Sequence, residues 1–246
     1  KIVSIDYSGL ELCSAAHQLY TTVGYSKMRD MLNEGDKPTD MHSKLAAKIK
    51  GISYDEFMLH KAEHKDARQK AKPINLGFPG GIGYDTMRHL MWRDGIKTRY
   101  QVLKTAKKKN DLYYYLTNLH TPDLRLKRMN AGQWALVQDE LVVLKRYIFD
   151  LYPELEEFLK ETHKKFQNGK NRWVKNEFGE WEEEPMHRYE THGFVRDNCT
   201  YTALCNGFLM QTPSAMGAQK AMNKLIRHFW NSPDIIPQAF IHDECV

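Results

Sequence analysis

Two short apolar runs rich in β-branched residues bracket the chain: Ile2-Val3-Ser4-Ile5 near one end and Ile241-His242-Asp243-Glu244-Cys245-Val246 at the other. Both read as strands. Between them the pattern is mostly helical. Residues 10–20 read as a helix that follows the first strand, and residues 41–50 as another with Asp40 at its N-cap. A longer helix is expected over residues 54–72, continuing until Pro79-Gly80-Gly81 breaks it. Residues 134–166 read as helix interrupted near Pro153. Turn residues Asn176 and Gly179 between aromatic and β-branched flanks suggest a hairpin over residues 172–181. Residues 191–196 look strand-like and 211–230 helical. The expected class is α+β, mostly helical, with no internal repeat and no low-complexity linker.

The acids at the strand ends change the picture. Asp6 closes the first run, and Asp243 and Glu244 lie in the last. Two strands that each bring a carboxylate to one place offer hard oxygen ligands for a pair of divalent ions. Such a pair stabilises the attacking and leaving oxygens of a phosphoryl transfer. Between them runs Arg68-Gln69-Lys70-Ala71-Lys72-Pro73-Ile74-Asn75-Leu76-Gly77-Phe78. On a helix His64, Arg68 and Lys72 fall one turn apart on one face. Cations four residues apart repel by roughly 0.2–0.5 kcal/mol, so the row suits a polyanion.

With those blocks in order, the chain resembles the family A DNA polymerases, the DNA polymerase I type. Asp6-Tyr7-Ser8-Gly9-Leu10-Glu11-Leu12 looks like motif A, residues 68–77 like motif B, and His242-Asp243-Glu244 like motif C. Gly77-Phe78-Pro79-Gly80-Gly81 is similar to the phage branch. The resemblance implies a right-hand polymerase: a palm, built as a small antiparallel sheet backed by helices, with a helical fingers insertion. Residues 1–20 and 171–246 would form the palm and residues 21–170 the fingers, with thumb and any exonuclease domain outside this piece. The implied activity is template-directed transfer of a dNTP onto a primer 3′-hydroxyl in phage replication. Two Mg2+ ions would serve it, or Mn2+ in their place. The partners would be primer–template DNA, dNTPs and replication accessory proteins, with no homo-oligomer implied. The setting would be the cytoplasm of a bacterial host.

Roles carry over residue by residue. Asp6 and Asp243 resemble the metal-binding aspartates, and Glu244 the second acid of motif C. Glu11 matches the steric gate that bars a ribose 2′-hydroxyl. Arg68, Lys72 and His42 resemble the contacts to the incoming triphosphate, and Leu76 stands where the family carries Phe or Tyr beside the sugar. Arg196, Gln211 and His242 resemble template or primer contacts, although the stretch from Asn206 to Gln211 is one residue longer than the usual spacing. Cys13 stands where motif A has Arg, and Gly80 where a tyrosine guards the templating base. Pro73, directly after Lys72, removes a helical hydrogen bond and is expected to kink its helix.

Composition narrows the alternatives. At 246 residues with 41% hydrophobic positions the chain can bury a core, and no apolar run approaches the ~20 residues that span a bilayer. No charged-then-apolar leader opens it. Strand-like runs reach both ends, so it reads as a piece of something longer. Cys13, Cys199, Cys205 and Cys245 form no CxxC pair, which fits buried, reduced thiols better than a zinc site. The net charge of +5 is concentrated: residues 97–175 carry 17 Lys and Arg against 9 Asp and Glu. With Tyr113-Tyr114-Tyr115, Trp134 and Trp173 interleaved, that stretch suits a nucleic-acid backbone, although a solvated surface explains Lys107-Lys108-Lys109 equally well. A single-subunit RNA polymerase would share the metal logic but not Glu11 or His242-Asp243-Glu244. A non-enzymatic nucleic-acid-binding module would explain the basic middle but not the flanking acids. Residues 77–83 lack the GxGxxG spacing of a dinucleotide site.

Overall fold

The computed structural model describes the chain apart from residues 1–4, 7–8, 130–131, 169–171, 176–177, 185–186, 234–236, 238–239, 242–243 and 246. For residues 5–6, 167–168, 172–174, 182–184, 240–241 and 244–245 it describes backbone only. In chain order the elements begin with β1 (Ile5–Asp6), α1 (Leu10–Val23), α2 (Lys27–Leu32), α3 (Met41–Lys50), α4 (Tyr54–Leu59), α5 (Lys65–Gly77) and α6 (Tyr84–Arg93). There follow β2 (Tyr100–Ala106), α7 (Asn110–Asn118), β3 (Leu124–Arg128), β4 (Trp134–Asp139), α8 (Glu140–Leu151) and α9 (Pro153–Asn168). Last come β5 (Arg172–Lys175), β6 (Trp181–Glu184), β7 (Tyr189–Thr191), β8 (Phe194–Arg196), a π-helical segment (Ala203–Gln211), α10 (Thr212–His228), β9 (Phe240–Ile241) and β10 (Glu244–Cys245). The chain is mostly helical with small antiparallel sheets, an α+β arrangement. It divides into two compact units, residues 1–38, 79–81 and 154–246, and residues 39–78 and 82–153. These boundaries differ from residues 20 and 170: α2 and α9 belong with the chain ends. Among the described residues no helix is long and apolar enough to cross a membrane.

In the unit of the chain ends, α1 buries Leu12, Ala15, Ala16 and Leu19 against the π-helical segment and α10. Gln18 is also buried. It is satisfied by donating to the Thr191 hydroxyl at 2.6 Å and the Phe208 carbonyl at 3.0 Å. A Cβ on Gly207 would stand 2.6 Å from the Tyr189 hydroxyl, so the glycine lets that ring lie on the π-helical segment. The expected single strand over residues 191–196 is instead the hairpin β7–β8. Its turn residues His192 and Gly193 take positive φ of 52° and 79°, the twist that two-residue hairpin turns favour. The hairpin expected over residues 172–181 forms as β5–β6. Strands β1, β10 and β9 make a three-stranded antiparallel sheet in that order, so the two ends of the chain meet.

The middle unit departs further from the helical expectation. Residues 54–72 are not one helix: α4 stops at Leu59 and α5 starts at Lys65. Residues 59–63 are exposed, so a continuous helix there would bury nothing, and Lys61 instead pairs with Asp40 at 3.0 Å. Residues 134–139, expected to be helical, form β4, the central strand of the antiparallel sheet β2-β4-β3. Ala135, Leu136 and Val137 are all buried because both faces of β4 are covered. One face packs on α7 through Leu112, Leu124 and Leu136, a small core of its own. The other faces an ion network. Asp139, fully buried, accepts from Arg125 Nε at 2.8 Å and from Arg88, and it caps α8 at the Leu141 amide. Arg125 and Lys127 also bond Asp85 at 3.0 Å and 2.9 Å.

Candidate functional site

Strand pairing builds the first group. In the β1–β10 register Ile5 lies opposite Cys245 and Asp6 opposite Glu244. Directly opposed positions in an antiparallel pair share a face, with Cβ atoms roughly 4.5–5.5 Å apart. Asp243 and His242 fall outside the described residues, and the side chains of Asp6 and Glu244 are likewise not described. No group of three or more His, Cys, Asp or Glu that could hold a metal lies among the described residues, a set that leaves those acids out. After β1, Gly9 takes a left-handed φ of 69° and serves as the N-cap of α1, a conformation glycine adopts without strain. That turn sets Glu11, exposed, in the first turn of the helix. Cys13, expected buried, is exposed two residues further on, whereas Cys199 and Cys205 are buried. Arg196 is exposed at the end of β8, and Gln211 is exposed at the end of the π-helical segment. Gly80, in the break between α5 and α6, is buried.

The second group belongs to α3 and α5 of the middle unit. Asp40 caps α3 as expected, accepting from the Ser43 amide at 3.2 Å. That start puts His42 at the second position of α3. Helix α5 runs through Pro73 to Gly77, so the lost hydrogen bond does not end it. Ala71, Ile74 and Asn75 face the core, while Arg68, Lys72 and Leu76 recur every fourth residue along the other side. Gly77 lets α6 approach, since a Cβ there would run into Met87.

Contacts join the two helices. Arg68 donates Nε–H to Asp40 Oδ2 at 2.8 Å, and its terminal nitrogens have no partner among the described residues. Lys72 is exposed, with no hydrogen-bond or ion-pair partner among them. Burial, reinforced by the charges of Arg68 and Lys72, lowers the His42 pKa to about 4 despite the opposing pull of Asp40. His42 is therefore a neutral imidazole at pH 7, within electrostatic reach of both cations. Burial alone would raise the Asp40 carboxyl. Hydrogen bonds from Arg68, Lys61 and Ser43 outweigh it and hold the group well below the usual carboxylate range. The structure thus gathers His42, Arg68 and Lys72 into one cluster. An anion entering it meets free guanidinium and ammonium donors on a rigid helix, with one carboxylate behind them.

Two members of this cluster escaped the sequence reading. Asp40 was legible as a cap but not as the anchor of Arg68. Asn75 donates to the Met41 carbonyl at 2.8 Å and lies 3.4 Å from His42 Nδ1, tying α5 to the start of α3. Its signal was a polar residue on the buried stripe of an amphipathic helix. Comparison with family models and with curated proteins yields no match for the chain.

Proposed function

We propose that the chain is the palm and fingers of a template-directed DNA polymerase of family A type, transferring deoxynucleotides to a primer 3′-hydroxyl. The observation that carries this reading is the β1–β10 register, which sets Asp6 opposite Glu244 from the two ends of the chain. The donor set fits the implied metals: carboxylate oxygens are hard ligands, suited to Mg2+ or Mn2+, and two of the acids, Asp6 and Glu244, stand on paired strands. Asp6 and Asp243, with Glu244 beside them, would hold the ions. When bound, two such ions supply Lewis-acid stabilisation of the attacking and leaving oxygens.

The remaining steps belong to the chain's own residues. The reaction forms a bond from the primer 3′-oxygen to the α-phosphorus and breaks the α–β bridge, releasing pyrophosphate. Lys72 as a point charge and Arg68 through its free terminal nitrogens bind the triphosphate. His42, neutral at pH 7, donates a hydrogen bond without adding charge. Glu11, at the start of α1, excludes the ribose 2′-hydroxyl. Leu76 shares the row of Arg68 and Lys72 and offers no hydrogen bond to the sugar. Arg196, Gln211 and His242 contact primer–template DNA. The one-residue excess before Gln211 falls in the π-helical segment. A π-helix accommodates such an extra residue without ending the helix, and α10 continues directly from it.

Primer extension with dNTPs and Mg2+ tests the reading. Asp6→Ala abolishes nucleotide addition while primer–template affinity persists. Extension by Asp6→Ala at a near-native rate would overturn the metal assignment.

A further inference from the structure

The basic middle of the chain sorts into two kinds of cation. Arg88, Arg125 and Lys127 are consumed by Asp85 and Asp139, and Arg99 by Asp123 at 2.5 Å. At the Trp134 end of the β2-β4-β3 sheet, beyond Lys127, three further cations are not consumed. Ala106 and Arg128 both lie in register with Trp134, so Lys107 and Arg128 flank that residue on its two sides. Lys107, Lys108 and Arg128 are exposed and have no ion-pair partner among the described residues. Lys109 lies 5.1 Å from the Trp134 ring centroid and 5.5 Å from that of Tyr113. Helix α7 turns Leu112, Tyr115 and Leu116 toward the sheet, which leaves Tyr113 42% and Tyr114 69% exposed. Asp111 is the one acid in residues 104–115.

We infer that this end of the sheet, Lys107, Lys108 and Arg128 with Tyr113 and Tyr114, is a binding platform for single-stranded nucleic acid. The inference goes beyond nucleotide addition and does not depend on it. Free cations grouped on one end of a folded module attract a polyanion, and binding releases the polyanion's counterions. Exposed aromatic faces choose among polyanions. Unpaired bases stack on tyrosine, whereas the bases of a duplex are already stacked on each other. An acidic protein segment would use the cations and leave the rings idle. The module carries its own core of Leu112, Leu124 and Leu136, which packs together the strands and the helix that flank the Lys107-Lys108 bend.

Fluorescence anisotropy of labelled oligo(dT) with the full chain, across a range of salt, tests this. Lys107→Gln, Lys108→Gln and Arg128→Gln together spare Lys109, which packs on Trp134. They should flatten the slope of log K against log salt by about 2, from roughly 0.7 per phosphate contact on a single strand. Tyr114→Ala, at a largely exposed position, should weaken binding about fivefold or more at fixed salt while leaving that slope unchanged. An unchanged slope in the triple variant would overturn the platform. So would poly-glutamate competing as well as poly(dT), which would reassign the patch to an acidic protein segment. Primer extension by both variants on a saturating primer–template stays near the parent rate, which separates this test from that of the polymerase reading.

Discussion

Two basic regions of the middle unit look alike as sequence and differ as structures. Arg68 and Lys72 lie on α5, and Arg125 and Lys127 lie on β3; each pair presents its charges on one side of its element. On β3 the cations meet carboxylates from α6 and β4, and Asp139 at their centre is fully buried. On α5 Asp40 takes Arg68 by one nitrogen and Glu140 takes Lys70, while the other Arg68 donors and Lys72 have no partner among the described residues. Charge density alone does not identify a ligand site. What identifies it is the set of donors that the fold leaves without partners, because a polyanion gains most where no internal carboxylate must be displaced.

The sharpest way to break the comparison is to remove the carboxylate that makes the β3 network structural. Asp139→Ala strands Arg88 and Arg125 and uncaps α8. Breaking a buried pair from one side costs about 3–5 kcal/mol, so urea denaturation should show a loss of that order. A loss below about 1 kcal/mol would mean that the network is wet and its cations available for other partners.

A smaller, graded effect concerns His42. Its pKa is about 4 in the folded chain against 6.5 ordinarily, so between these values the unfolded chain binds the extra proton. Stability should therefore fall as pH drops from 6.5 toward 4, and His42→Gln should remove that part of the decline. Urea midpoints followed over this range check it. A parent and variant with parallel pH profiles would show that His42 is not held neutral by burial beside Arg68 and Lys72.

Where one face is buried and the other wet, the sequence was readable. Helix α3 begins and ends where its pattern and Asp40 cap place it. Helix α1 runs three residues past the expected end, to a Gly24 cap. Strand β4 defeated the reading because it is covered on both sides. Trp-Ala-Leu-Val has no alternation, and a short apolar run of that kind cannot be told from a buried helix by period. Strand β3 does alternate, Leu124 and Leu126 toward α7 with Arg125 and Lys127 away, but its charges were counted only as part of the basic stretch over residues 97–175. The split between α4 and α5 has no Gly or Pro to announce it. In the candidate site, the helical spacing of Arg68 and Lys72 was legible from the sequence alone. The hold of Asp40 on Arg68 and of Asn75 on Met41 was not, since each joins residues about thirty positions apart.

The most direct measurement is dNTP affinity, by equilibrium titration of the full chain with primer–template DNA and Mg2+, for Lys72→Ala beside Lys127→Ala. Both remove one lysine from the same unit. Loss of a charge-assisted contact, about 1.5–3 kcal/mol, predicts a tenfold or greater weakening for Lys72→Ala and no change for Lys127→Ala. Equal effects from the two substitutions, or none from Lys72→Ala, would contradict the claim that the row on α5 receives the triphosphate.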